Sequence, residues 1–260
     1  MEIAVLSKPG GRTHNEDACG YWTSDGLCCW VVSDGAGGHG GGDVASKLVV
    51  GTVLREFAAA PQMSRGSLTD LLYRANNVLL ANQRSEKRLM DMRATVAVLV
   101  LDQASGSALW GHVGDSRIYC FRNGGLFRQT RDHSVVQGLL DMGAGDPSWL
   151  RSHPQRNILL AALGSEDEFN PAVEEWPLAV HDGDAFLLCS DGLWEYVEEP
   201  VMAQTLGECG SPRDWLDAME HELLRRCKAG HDNYTGVAVW LGDTSVVTRT
   251  MAQQPPFSAV

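Results

Sequence analysis

The chain has 260 residues, enough for a sizeable core in one large or two small domains, and its 44% hydrophobic and 21% charged residues are ordinary for a globular protein. Thirty-three acidic against 21 basic residues leave a net charge of -12, which argues against a nucleic-acid partner, whose phosphates demand a basic face. Met1-Glu2-Ile3-Ala4-Val5-Leu6 lacks the features of a signal peptide, and no apolar run approaches the ~18 residues of a membrane span, so no membrane insertion is expected.

Strands are predicted at residues 3–7, 19–23 and 27–33, and a glycine-dense loop runs from Gly35 to Gly42. Helices follow at 44–59 and 67–84; in the second, Leu68, Leu71, Leu72, Ala75, Val78 and Leu79 share a face and Ser67 is placed as N-cap. Strands resume at 94–101, 108–113 and 117–122, the last ending at the hairpin signal Asn123-Gly124. Residues 134–142 read as a short helix, and 143–156 as a mobile, flap-like loop without periodicity. Strands are expected again at 173–176 and 185–190, then helices near 200–206 and 212–227, then a last strand at 235–241. The residues from Gly242 onward read as a disordered tail. With no repeat and no linker, residues 1–241 form one expected domain. Strands, a helix pair, strands and a second helix pair predict an α+β architecture of layers, two antiparallel sheets face to face with helices outside. The seven cysteines are an odd number without a Cys-x-x-Cys pair, and several lie in apolar runs, so a reduced, cytoplasmic protein is expected.

Two phrases echo each other: Val31-Val32-Ser33-Asp34-Gly35 and Leu187-Leu188-Cys189-Ser190-Asp191-Gly192. Asp-Gly alone is good turn chemistry. Two copies, each ending a buried strand, would deliver paired carboxylates to the rim of a core, the oxygen donors that hard divalent cations take. Asp232-Asn233 opens the last strand, and Asn15-Glu16-Asp17 lies between the first two. With no His/Cys set at zinc spacing, the candidate ligands select Mg²⁺, Mn²⁺ or Ca²⁺. Arg12, close to Glu16-Asp17, could offer a phosphate two parallel hydrogen bonds beside such ions. Two other chemistries fail. Gly35-Ala36-Gly37-Gly38-His39-Gly40 fits a dinucleotide fingerprint, but no second parallel strand with an acidic end follows. No cysteine has an arginine six residues on, as a thiolate phosphatase would need.

Read in order, these motifs resemble the metal-dependent protein phosphatase 2C (PPM) family. Arg12-Thr13-His14-Asn15-Glu16-Asp17 is similar to its R-x-x-N-E-D motif, and Asp34-Gly35-Ala36-Gly37-Gly38-His39 to its D-G-x-G-G-H loop. Gly114-Asp115-Ser116-Arg117, Asp132-His133-Ser134, Ser190-Asp191-Gly192-Leu193-Trp194-Glu195 and Asp232-Asn233-Tyr234-Thr235 follow in the family's order. The resemblance implies a four-layer α-β-β-α sandwich with two Mn²⁺ or Mg²⁺ ions at one edge. It implies Asp34 bridging both, Asp191 and Asp232 on one, and the Gly35 carbonyl with Glu16 or Asp17, partly through water, on the other. Arg12 would hold the phosphate, with Asp115 and the Asp132 motif bracing loops behind. The chain's compact form looks like the bacterial branch, which opposes Ser/Thr kinases.

Two departures stand out. Met92-Arg93-Ala94-Thr95 replaces the family's usual Met-Gly-Thr-Thr, and Asp91 just before it is the candidate for a third, weaker metal site. Ala36 stands where eukaryotic-type members carry a histidine proposed as general acid.

The implied reaction is hydrolysis of phosphoserine and phosphothreonine in proteins by a water held on the metals, without a phosphoenzyme, and its implied partners are phosphoproteins and a cognate kinase. His39 is the nearest titratable group for protonating the leaving oxygen, with solvent water the preferred donor. The competing class is a phosphopeptide-binding pseudophosphatase, whose mark is loss of a metal-binding aspartate; Asp34, Asp191 and Asp232 are all present.

Overall fold

Residues 28–33 are buried on both faces, and successive side chains from Cys28 to Val32 enter two different cores. The computed structural model describes residues 1–24, 26–37, 41–166 and 169–242. Its elements are, in order, β1 (Glu2–Lys8), β2 (Asp17–Thr23), β3 (Leu27–Ala36), α1 (Gly42–Ala59), α2 (Arg65–Ser85), β4 (Arg93–Ala94), β5 (Val96–Asp102), β6 (Ser107–Val113), β7 (Arg117–Arg122) and β8 (Gly125–Gln129). They continue with α3 (Val135–Asp141), α4 (Trp149–Ser152), β9 (Ala172–Val173), β10 (Leu178–Ala179), β11 (Ala185–Cys189), α5 (Asp191–Trp194), α6 (Glu199–Glu208), α7 (Pro212–Arg226) and β12 (Tyr234–Trp240).

Every strand pairing is antiparallel. One sheet runs β1-β12-β11-β7-β8, the other β10-β6-β5-β3-β2, with β4 added to β3 and β9 to β6. Cys28, Trp30 and Val32 of β3 meet Phe186, Leu188, Val237 and Val239 of the facing sheet. Cys29 and Val31, on the opposite side of β3, pack under Val49, Val53, Leu72 and Leu79 of α1 and α2. The second sheet repeats the arrangement, with Leu187 and Ala238 beneath Trp215, Met219 and Leu223 of α7 and Met202 of α6. A strand covered on both sides has no polar face, which explains the continuous apolar runs. The four layers predicted from element order are present.

The differences are local. β3 does not stop at Ser33: it continues to Ala36, because Gly35 and Ala36 pair with Ala94 and Arg93 of β4. The expected strand over 94–101 is accordingly split at Thr95. Ser64, not Ser67, caps α2; Ser67 takes the third helical position and closes a capping box, its hydroxyl accepting from the Ser64 N–H. Asp191 does not sit in a turn but opens α5. The stretch 143–156 contains α4 and is tied down: Arg151 reaches both Glu199 oxygens at 2.9 Å, and Arg156 reaches Glu195 at 2.7 Å. The expected disordered tail lies, apart from Gly242, outside the described residues. Among those residues no helix is long and apolar enough to cross a membrane.

Candidate active site

The two Asp-Gly pairs are explained by close backbone approach. A Cβ on Gly35 would stand 1.9 Å from the Gly42 carbonyl oxygen, and one on Gly192 would stand 1.9 Å from the Asn233 carbonyl oxygen. Only glycine lets β3 abut the start of α1, and only glycine lets the Asp191 segment abut the Asp232 loop. Four separated stretches thus bring their carboxylates to one end of the sandwich.

Asp17 and Asp34 are direct partners across the β2–β3 ladder. Ser190 Oγ donates to Asp17 Oδ2 at 2.6 Å while itself accepting the Thr235 N–H, so one hydroxyl ties the two sheets together at the site. Asp34 is fixed through its backbone: its N–H donates to Thr95 Oγ1 at 3.0 Å and its carbonyl accepts the Thr95 N–H at 2.8 Å. Asn233 staples the remaining loops, accepting the Glu16 N–H at 2.7 Å and donating to the Pro9 and His14 carbonyls. Arg12 Nη2 donates to Asp232 Oδ2 at 2.9 Å, with both side chains about half exposed.

These groups line a cleft of about 390 Å³ whose rim and floor include Arg12, Glu16, Asp34, Gly35, Asp191 and Asp232. Its electrostatics are lopsided. Asp34 and Asp191 are held well above the usual carboxylate range, first by burial and then by neighbouring carboxylates: Asp17, Asp191 and Asp115 act on Asp34, while Asp115, Glu195 and Asp232 act on Asp191. Burial pushes Asp17 up to about 6 despite hydrogen bonds from Ser190 and Thr235. Glu16 is raised by burial and by Asp43 and Asp232.

The donor set fits hard divalent cations. It offers only oxygen, Asp17 Oδ1 is buried with no hydrogen-bond partner among the described residues, and the acids face one another. Among those residues no three His, Cys, Asp or Glu side chains already form a ligand set for one ion. The acids ring the cleft, leaving room for the solvent oxygens that Mg²⁺-like ions retain.

Of the residues singled out from sequence, the structure gathers Arg12, Glu16, Asp34, Gly35, Asp191 and Asp232 around the cleft, with Asp17 directly behind. Asp91 is not brought there: it is exposed in the turn before β4 and does not line the cleft. Asp115, expected only to brace a loop, does line it, and burial with the charge of Asp132 pushes it up to about 7. His39 lies outside the described residues. Thr95, Ser190 and Asn233 act as positioning residues; their signal was their place inside the motifs, which did not reveal what they hold.

Residues 10–225 match the family model for protein phosphatase 2C. The serine/threonine phosphatase stp of Listeria monocytogenes serotype 4b is 33% identical over 201 residues, which cover 75% of this chain and 78% of that protein. The crystal structure of the Mycobacterium tuberculosis serine/threonine phosphatase PstP/Ppp superimposes with a TM-score of 0.77 at 31% identity, over 93% of this chain and 98% of that one. The catalytic domain of PstP in complex with two manganese ions gives a TM-score of 0.75 at 29% identity, over 91% and 96% of the two chains. A two-sheet sandwich with an acidic cleft at one end defines a hydrolase of the metal-dependent phosphatase class. The chain belongs to the protein phosphatase 2C family, in its bacterial serine/threonine phosphatase form.

Proposed function

We infer that the chain is a manganese-dependent protein serine/threonine phosphatase, hydrolysing phosphoserine and phosphothreonine in proteins, with Mg²⁺ as an alternative ion. The observation that carries this reading is the meeting of Asp34, Asp191 and Asp232, from separate segments, in one cleft with Asp17 directly behind, where among the described residues only Asp232 of the four is ion-paired to an arginine. Two such ions would be held by these residues: Asp34 would serve both, Asp191 and Asp232 would serve one, and the Gly35 carbonyl with Glu16 or Asp17 the other. When bound, such ions neutralise the phosphoryl oxygens and supply an activated water at neutral pH.

The protein's own share is positioning. Thr95 fixes the backbone of Asp34 on both sides, and Ser190 orients Asp17. Asn233 holds the loop carrying Arg12 and Glu16 against the loop carrying Asp232. Arg12, at the cleft mouth, has a guanidinium free to exchange its exposed contact with Asp232 for two phosphoryl oxygens. A third, weaker ion would find Asp115 beside Asp191 rather than the exposed Asp91. No protein nucleophile is required: Cys28, Cys29, Cys120 and Cys189 are buried among the sheets. The seven free thiols support a reducing, cytoplasmic setting, and a Ser/Thr kinase is the natural source of the substrate.

The deciding experiment is hydrolysis of a phosphothreonine peptide in EDTA and then with Mn²⁺ restored. Turnover is expected only with the metal. A protein that binds the phosphopeptide without hydrolysing it under either condition would be a pseudophosphatase.

A further inference from the structure

The two departures from the family's motif pattern, Ala36 and Arg93, lie directly opposite each other in the β3–β4 ladder. Cross-strand partners point to the same face with Cβ atoms about 5 Å apart. Both residues line the cleft, so a methyl group on one strand leaves open the space beside a long guanidinium on the other.

Arg93 is also held in place. Its Nη1 donates at 2.9 Å to the Met92 carbonyl, which Gln83 Nε2 also contacts at 2.8 Å. The stem passes Gly164, where φ is +89° and a Cβ would stand 3.2 Å from Arg93 Cδ and 2.7 Å from the Met92 carbonyl oxygen. Among the described residues the Met92 carbonyl is its one acceptor, and no carboxylate pairs with it. A guanidinium carries five N–H donors, so most of its capacity is unspent. Arg12, the other arginine of the cleft, is paired with Asp232.

The position tells what Arg93 would take. It borders both the cleft and a neighbouring groove of about 630 Å³ lined by Gln83, Met90 and the exposed ion pair of Arg84 with Glu166, which leaves Arg93 as the arginine there without a carboxylate partner among the described residues. That is the rim, where the chain on either side of a phosphorylated residue must pass.

We propose that Arg93 is a specificity-determining residue whose guanidinium binds a carboxylate of the substrate, a glutamate or aspartate a few residues from the phosphoserine or phosphothreonine. This rests on the phosphatase reading of the cleft. The planar fork suits a carboxylate held in two parallel hydrogen bonds, and a partly exposed contact of this kind yields a preference of about 5- to 20-fold.

The test uses the full chain with Mn²⁺ and a neutral phosphothreonine peptide in which one glutamate is walked through three positions on either side. The wild type is expected to favour glutamate at one or two positions by about 5- to 20-fold in kcat/KM. Arg93→Gln should cut that preference below about twofold, Arg93→Lys should keep part of it, and Arg93→Glu should invert it. Thermal unfolding with and without Mn²⁺ verifies that each variant is folded and binds metal; Arg93→Gln and Arg93→Lys decide the matter if Arg93→Glu does not fold. The proposal is overturned if the wild type shows no positional preference. It is equally overturned if Arg93→Gln slows neutral and acidic peptides by the same factor, which would put the guanidinium on the transferred phosphoryl group. Failure of the wild type to hydrolyse any peptide would instead defeat the phosphatase reading itself.

Discussion

Two groups of buried charge lie close together in this molecule and are handled in opposite ways. Behind the cleft, Arg117 is almost fully buried and answers Asp132 through two hydrogen bonds of 2.8 and 2.7 Å. Its remaining amine contacts Tyr119 and Glu199, the Trp194 ring stacks on its guanidinium at 3.5 Å, and Arg151 completes the pairing of Glu199. In the cleft and directly behind it, no arginine among the described residues forms an ion pair with Asp17, Asp34 or Asp191; Arg156, which feels the charge of Asp191, is paired with Glu195. A buried ion pair is tolerated when each charge finds its partner, and a cluster of acids is tolerated when it takes up protons or when something outside the chain supplies the opposite sign. The first group braces the fold. The second leaves room for metal.

The largest effect should come from breaking the cleft. Asp34→Asn is expected to reduce Mn²⁺-dependent turnover at least about 1000-fold, since the shared carboxylate is lost. In EDTA the same variant should melt at or above the wild-type temperature, because one of several mutually repelling acids is gone. Near wild-type rates, or a metal-free variant that unfolds far more easily, would erase the distinction between the two groups.

The bracing group should respond in the reverse sense. Asp132→Asn leaves the Arg117 charge buried and under-paired, and urea unfolding should show a loss of about 3–5 kcal/mol. Mn²⁺ affinity by calorimetry should stay within about twofold of wild type for the protein that remains folded, because Asp132 does not line the cleft. A loss below about 1 kcal/mol would rank this pair with ordinary surface ion pairs.

Arg12 sits between the two regimes, an arginine within the acidic cleft but exposed. Arg12→Ala should lower kcat/KM by about 10- to 1000-fold if the guanidinium holds the phosphoryl group. Because Arg12 competes for Asp232, its removal should tighten Mn²⁺ binding slightly, by no more than about fivefold. Weaker metal binding in proportion to lost catalysis would make Arg12 a structural residue.

The layers of the fold were legible because each strand buried on both faces reads as an unbroken apolar run and each outer helix as a 3.6-residue stripe. The acids at strand ends were legible for the same reason: a carboxylate that terminates an apolar run has few uses. What the sequence concealed were contacts between distant segments. Gly35 and Gly192 read as turn residues, yet the approach of Gly42 and of Asn233 requires them. Asp91 and Asp115 were indistinguishable as acids in loops until the turn before β4 put one in solvent and the end of β6 put the other in the cleft. The opposition of Ala36 and Arg93 depends on a two-residue strand too short to show any periodicity.

The smallest expected effect sharpens the contrast from the bracing side through pH. His112 is buried, stacks on His133 at 4.7 Å, and donates from Nε2 to the Arg131 carbonyl at 2.8 Å. Burial first, and then the neighbouring His133, push it down to about 4, against the raising influence of the Arg131 contact and Asp132. The unfolded chain therefore binds a proton at this residue between about pH 6.5 and 4 where the folded chain does not, so this residue's contribution to stability declines as pH falls through that window. The raised carboxylates of the cleft act in the opposite direction, gaining stability as pH falls, so the wild-type profile alone mixes both. The difference from His112→Gln isolates the histidine: glutamine keeps a donor for Arg131 and cannot titrate, while His133 and Asp132 remain in both proteins. In EDTA, the stability advantage of wild type over the variant should shrink by about 2 kcal/mol between pH 7.5 and 5, measured by urea unfolding at each pH. Parallel profiles would mean that His112 titrates normally and that the ground behind the cleft is wetter than its burial indicates.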